Sequence, residues 1–372
     1  MSLLLPISPA GPVRAATSRR AAALRILQLL RSDSFAGVER YLTYVAPELA
    51  RRGHHVTVVG GDPARMAPVL GPAGVTHLAA ATLSDVIRAA AHAARADRPD
   101  VVHTHMTAAE VAGLVTRPVV RRPLVTTRHF AAVRGRDPVT RRMWGLLPRF
   151  MAAEIAISHY VSTYVATTAG SPCTVIPNGV PSRPRGSATR RPIVLVAQRF
   201  EAEKDTATVV QAWGRSGLAD AGWQLHLAGD GTERGQLTEL VAELGLADSV
   251  TFLGSVDDLE RRMDEASVLV ASGSVEGFGF SVVEAMASGL PVVAADGGAH
   301  PELLGPSASD LLYSPGDPDD LARVLGALVA DTDRRFEVAD RLRARFEVEY
   351  TVERHVDRLE ALYQQVTRVN HG

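Results

Sequence analysis

Short apolar runs alternate along this chain with stretches in which hydrophobic residues recur every three to four positions. Residues 24–30 read as a strand, 38–52 as a helix and 55–60 as the next strand, and the alternation continues to about residue 175. The runs are rich in Val, Ile and Leu, as in strands covered on both faces, so the pattern predicts a parallel sheet with crossover helices. It pauses at 181–192, where PSRPRGSATRRP offers no apolar face and reads as a linker. Strands resume at 193–197, 224–228, 250–253, 268–271 and 292–295, each followed by a candidate helix. Beyond Asp331 the strand pattern stops, and two helical segments, 333–350 and 352–369, follow. The fold expected is α/β, with two doubly wound domains at 23–180 and 193–350 joined by the linker 181–192. Residues 1–22 read as a disordered leader, because their short apolar run precedes their arginines and Pro6, Pro9 and Pro12 interrupt them. Segment 351–372 reads as a helix that folds back over the first domain.

Composition narrows the setting. With 372 residues, 46% hydrophobic and 22% charged, two buried cores are expected, and the cleft between them is the default ligand site. One cysteine, Cys173, forms no internal disulfide, and no apolar run approaches the roughly 18 residues of a membrane span. A cytoplasmic setting fits. The net charge of −1 conceals an asymmetry: residues 1–180 carry 21 Arg against 10 acidic residues, a balance of +11, and residues 181–372 balance at −12. Between Arg117 and Arg149 nine arginines face only Asp137, which suggests an anionic or lipid-linked partner, or peripheral contact with the inner face of a membrane. A solvated arginine surface gives the same run. Neither zinc spacing nor a nucleic-acid-binding motif is present.

Candidate chemistry lies in the loops after the second-half strands, where open parallel sheets bind ligands. In SGSVEGFGFSVVEAMASGLP, Gly277 and Gly279 flank Phe278 just before a helix over 280–288, which ends at Gly289 with Pro291 beyond. The unpaired amides and positive dipole end of that helix make a seat for phosphate. Glu276 and Glu284, eight residues apart, bracket the seat, and each suits vicinal hydroxyls of a ribose or a sugar ring. A plain surface helix would carry the same spacing. After the strand 193–197, Arg199 and Lys204 can converge on a diphosphate, one as a planar fork and the other as a point charge. The turn at Gly229 and the strand end at Leu253 are further candidates for backbone contact with a nucleotide. His103 and His105 share one face of the sheet, and core burial explains them as well as a role does.

Taken in order, these features resemble glycosyltransferase family 4 of the GT-B fold, with two Rossmann-like domains facing across a cleft. In the first half the resemblance includes Ala36-Gly37-Val38-Glu39, residues 100–105 (DVVHTH), Thr127-Arg128-His129 and residues 175–180 (VIPNGV). It implies a retaining, metal-independent hexosyltransferase that uses a nucleotide-diphosphate sugar and no other cofactor. By the same resemblance Glu276, His129, Arg199 and Lys204 carry the chemistry. Glu284 would hold the donor ribose, and Phe278, Gly279, Phe280 and Ser281 would meet its phosphates. Gly37 would let the first-domain loop approach donor or acceptor. Two departures stand out: Ala36-Gly37 replaces the usual Gly-Gly, and Gly297-Gly298-Ala299-His300-Pro301-Glu302 is one residue longer than the family pattern.

Loss of the sugar–phosphate bond leaves negative charge on the diphosphate, so cations and oriented amides there supply the largest help. The two D-x-D pairs, at 317–319 and 331–333, sit at helix starts, where Asp is expected anyway. Alternative readings are a sugar-nucleotide epimerase of the same fold, a phosphorylase, or a catalytically silent nucleotide-sugar-binding subunit. A phosphorylase of this shape needs a lysine for pyridoxal phosphate, and Lys204, the only lysine, is already assigned. A silent subunit would be expected to lose Glu276, Arg199 or Lys204.

Overall fold

The computed structural model describes residues 22–32, 35–135, 138–170, 172–186 and 189–369. The expected leader lies outside them except for Ala22. Seven parallel strands form the first sheet: β1 (Arg25–Leu30), β2 (His55–Val59), β3 (Thr76–Leu78), β4 (Val101–His105), β5 (Leu124–Arg128), β6 (Ala153–Ala156) and β7 (Thr174–Val175). Their order is β3-β2-β1-β4-β5-β6-β7. A second parallel sheet holds β8 (Ile193–Ala197), β9 (Gln224–Ala228), β10 (Val250–Gly254), β11 (Val268–Ala271), β12 (Val292–Ala295) and β13 (Leu312–Tyr313), in the order β10-β9-β8-β11-β12-β13. Both sheets therefore reverse direction at one place, between β1 and β4 and between β8 and β11. Doubly wound sheets open a crevice at such a switch point.

Local chemistry explains the elements that frame this crevice. The helix Gly37–Arg51 starts with the Glu39 carboxylate accepting the Ala36 amide at 2.8 Å and buries Tyr41, Leu42, Val45 and Leu49 on the first sheet. Helix Phe280–Ala287 begins at Gly279 with no side-chain cap, so no capping side chain closes off the Phe280 and Ser281 amides, while the Val282 amide donates to the Gly279 carbonyl at 3.1 Å. Short β13 escapes the pattern, since two residues carry no periodicity.

The described part of the linker, residues 181–186 and 189–192, has no regular structure, yet it is pinned. The Arg190 guanidinium donates to the Met263 and Ala266 carbonyls at 2.6 and 2.8 Å and to those of Ser288 and Gly289 at 3.0 Å, and Arg183 pairs with Asp264 at 2.7 Å. Arginines suit the exposed carbonyl ends of helices, which is why a segment without an apolar face is still held. A second crossing lies beside the first: the Val180 amide donates to the Tyr350 carbonyl (3.0 Å) and the Val352 amide to the Val180 carbonyl (2.9 Å). From there the helix Val352–Val369 packs Val356, Leu359 and Tyr363 into the core of the first sheet.

Candidate active site

A cleft of about 310 Å³ lies between the two halves at the carboxyl ends of β8 and β11. Gly37, Arg199, Lys204, Gly229, Glu276, Gly279, Phe280 and Ser281 line it, all residues singled out from the sequence. Their placement follows from backbone constraints. Gly229 adopts φ +149°, and a Cβ there would stand 1.8 Å from the Gln198 carbonyl oxygen, so only glycine lets the β9 turn close against the end of β8. Gly298 likewise approaches the backbone of Glu276, while the Ala299 amide donates to the Glu276 carbonyl at 2.9 Å. The longer loop at 297–302 thus holds Glu276 in position.

The charges in the cleft are organised by pairing. Lys204 donates to the Glu276 carboxylate in a short contact, and both are largely buried. Burial opposes ionisation of Glu276, but the Lys204 ammonium outweighs it, with help from His300, and holds the carboxyl below its ordinary range. Arg199 is more exposed and pairs with Glu203 at 2.9 Å. Gln198 fixes this corner by donating from Nε2 to the Lys204 carbonyl (3.1 Å), Thr206 (3.0 Å) and Ser272 (2.9 Å).

Four candidates from the sequence, Glu284, Phe278, Leu253 and His129, do not line the cleft. Glu284 is engaged from across the cleft, accepting from Arg40 at 3.1 and 3.2 Å and from the Tyr44 hydroxyl at 2.9 Å. Burial pushes its carboxyl up despite these donors. Phe278 turns its ring into the core against Phe280 and Tyr350, and its amide lies 3.5 Å from the Glu276 carboxylate, so it is not free for phosphate. Leu253 packs against the second core, because the register of β10 shifts between Phe252 and Gly254; Ser255, Val256 and Leu259 form that wall of the cleft instead. Gly37 faces the Phe280 ring, but a Cβ would meet it only at an ordinary 3.8 Å, so glycine is not what sets this approach.

His129 lies behind the cleft in a buried polar chain. Its Nε2 is 3.0 Å from His105 Nδ1, and His105 Nε2 lies 2.7 Å from the Gln28 side-chain oxygen Oε1. Gln28 donates to Tyr363 (3.2 Å), whose hydroxyl is 2.6 Å from His103, and His103 reaches Thr127 at 2.7 Å. Burial pushes His129 down to about 3 and holds His103 and His105 well below the ordinary imidazole value, so all three are neutral near pH 7. The backbone of His129 approaches the second half, since a Cβ on Gly277 would come within 2.9 Å of its carbonyl oxygen. Nearby the Ser158 hydroxyl donates to the Gly277 carbonyl at 2.7 Å, and Glu302 accepts the His159 amide at 2.8 Å.

Sequence reasoning missed Arg40, Tyr44 and Arg65. Arg40 and Tyr44 are four apart on the helix that opens at Gly37, and this i, i+4 spacing beside a candidate loop was the available signal. Arg65 stacks on Phe35 at 4.6 Å and pairs with Asp257 of the second half at 2.7 Å.

Two switch-point crevices facing one another, with a helix N-terminus and paired charges between them, define the GT-B class. Residues 35–183 match Glycosyltransferase Family 4 and residues 182–345 match Glycosyl transferases group 1. The chain belongs to the family 4 glycosyltransferases of the GT-B fold. Similar solved structures include a glycosyltransferase from Rickettsia africae (17% identity, TM-score 0.78, 93% of this chain and 99% of that one). Another is Anabaena HepE in complex with UDP-glucose (23% identity, TM-score 0.77, 93% and 99%). Among curated proteins, the MMP α-(1→4)-mannosyltransferase of Mycolicibacterium hassiacum is 29% identical over 262 residues, 62% of each chain. The chain spans less than two thirds of the length of the curated relatives it matches.

Proposed function

We propose that this protein transfers a hexosyl-type sugar, with retention, from a nucleotide-diphosphate sugar to a hydroxyl acceptor, using no metal or other cofactor. The observation that carries the reading is the convergence of Lys204, Arg199 and the open amides at Phe280 and Ser281 on one cleft, with Glu276 beside them. These groups suit a donor diphosphate. The bond from the anomeric carbon to phosphate oxygen breaks, and the charge gathering on the leaving diphosphate is met by Lys204, Arg199 and the helix amides. On the same face the acceptor oxygen bonds to the anomeric carbon and its proton passes to the leaving phosphate, so no protein base is assigned. Glu276, anchored by Lys204, accepts from the sugar hydroxyls. The nucleotide ribose takes the Glu284 carboxylate, and to do so it displaces Arg40 and Tyr44. That this set is intact favours an enzyme over a silent binding subunit, and separates it from an epimerase only if an acceptor is glycosylated.

The test is a thermal-shift screen against UDP-, GDP-, dTDP- and ADP-sugars, followed by assignment of the product anomer by NMR. One donor class should raise the melting temperature and give a product of unchanged configuration. No shift with any of the donors, or an inverted product, overturns the reading.

A further inference from the structure

The surface formed by residues 106–150 differs from the rest of the molecule in two respects at once. Seven of the thirteen exposed large hydrophobics among the described residues fall in this segment, including Val115, Val119, Phe130, Val139, Leu146 and Phe150. The exposed charge among its described residues is of one sign. Arg117, Arg121, Arg141, Arg142 and Arg149 are exposed, while the one described carboxylate in the segment, Glu110, is buried on Arg134. Asp137 lies outside the described residues.

The two features belong to one surface. Val115 and Val119 stand one turn apart on the outer face of the helix Met106–Val120, and Arg117 of that helix lies 6.0 Å from the Phe150 ring. Trp144, half-buried, lies between Arg142 and Leu146. Free anions or polyanions are met by arginines alone and leave exposed valine, leucine and phenylalanine without a partner. An acidic bilayer takes both, headgroups on the guanidinium groups and the apolar side chains at the acyl boundary.

We propose that this face docks on the surface of an anionic membrane, with Arg141, Arg142 and Arg149 at the headgroups and Val119, Leu146 and Phe150 entering the interface. Docking does not depend on the transfer reading. An extension that does rest on it is that the acceptor is lipid-borne: Met106 and Phe130 follow the carboxyl ends of β4 and β5, so the docked cleft lies beside the bilayer.

Co-sedimentation of the full chain with phosphatidylcholine vesicles, with and without phosphatidylglycerol, tests docking without any assay of transfer. Binding is expected only to the anionic vesicles, weakening with salt and accompanied by a blue shift of Trp144 emission. The double variant Leu146→Ser/Phe150→Ser should lower vesicle affinity at least about tenfold, since two apolar side chains leave the interface. Arg141→Gln/Arg142→Gln should flatten the salt dependence. All four positions are exposed, and a thermal melt checks that the variants fold. Absence of binding to anionic vesicles at low salt overturns the proposal. So does loss of binding in the arginine variant with none in the serine variant, because that describes a headgroup or polyanion site without insertion.

Discussion

The two halves share a strand order but differ in what they bury. In the second sheet β8, β11 and β12 read IVLVA, VLVA and VVAA, and the polar groups sit in the loops beyond. First-sheet strands β4 and β5 read VVHTH and LVTTR, every residue buried, so hydrogen-bonding groups run through the interior. The tail helix adds Tyr363 and His355, the latter 3.0 Å from Tyr41 and 2.8 Å from the Pro177 carbonyl. One topology thus serves two designs. A stiff apolar scaffold presents charge at its rim, whereas a buried polar network holds its strands only while each partner keeps its protonation state.

Acid should break that comparison most strongly. Burial holds His129 down to about 3 and His355 down to about 4, whereas imidazoles of the unfolded chain titrate near 6.5. Between those values the unfolded chain binds more protons, so stability falls as pH drops below about 6.5. These two residues alone remove about 4 kcal/mol by pH 5, and His103 and His105 act in the same direction. Urea unfolding at pH 7.5 and pH 5 measures it. We expect Trp144 in the first half to report a larger loss than buried Trp213 in the second; equal midpoints at both pH values would sink the account.

At the cleft, Glu276→Gln should lower kcat about 100-fold, about 2.7 kcal/mol, with little change in nucleotide affinity. The reason is that sugar contacts tighten as the bond breaks and ribose contacts do not. Steady-state kinetics beside calorimetric titration with UDP separates the two, and an unchanged kcat would remove Glu276 from the mechanism.

Charge-conserving Lys204→Arg should cost at least about tenfold in rate, about 1.4 kcal/mol. Lys204 passes close to Gly273, where a Cβ would meet its stem at 3.3 Å, and a planar fork fills that space poorly. Initial rates at saturating donor decide it, and a fully active variant would show that charge alone suffices.

The smallest effect sharpens the link between the halves. Arg40→Ala should tighten nucleotide binding several-fold, less than about 1 kcal/mol, because it frees the Glu284 carboxylate. Glu284→Ala should weaken it. Weaker binding in Arg40→Ala would instead make Arg40 a direct ligand of the donor.

Much was legible in the sequence because it reports local burial. The strand runs, the helix from Phe280 to its stop before Gly289 and Pro291, and the two closing helices all follow from periodicity and turn chemistry. The candidates Arg199, Lys204, Glu276 and Gly279 stood out through residue type in the loops after strands, and the parallel topology carries those loops to one edge; Ser281 came only with the family resemblance. What the chain did not disclose were contacts between residues far apart in it. Glu284 meets Arg40 and Tyr44, Tyr363 completes a chain from Gln28 to Thr127, and Arg190 straps the crossing to two helix ends. Hydropathy fixes which face of each element is inward. It does not fix how two finished halves lean on one another, since that depends on side-chain packing across a cleft whose walls are encoded about 240 residues apart.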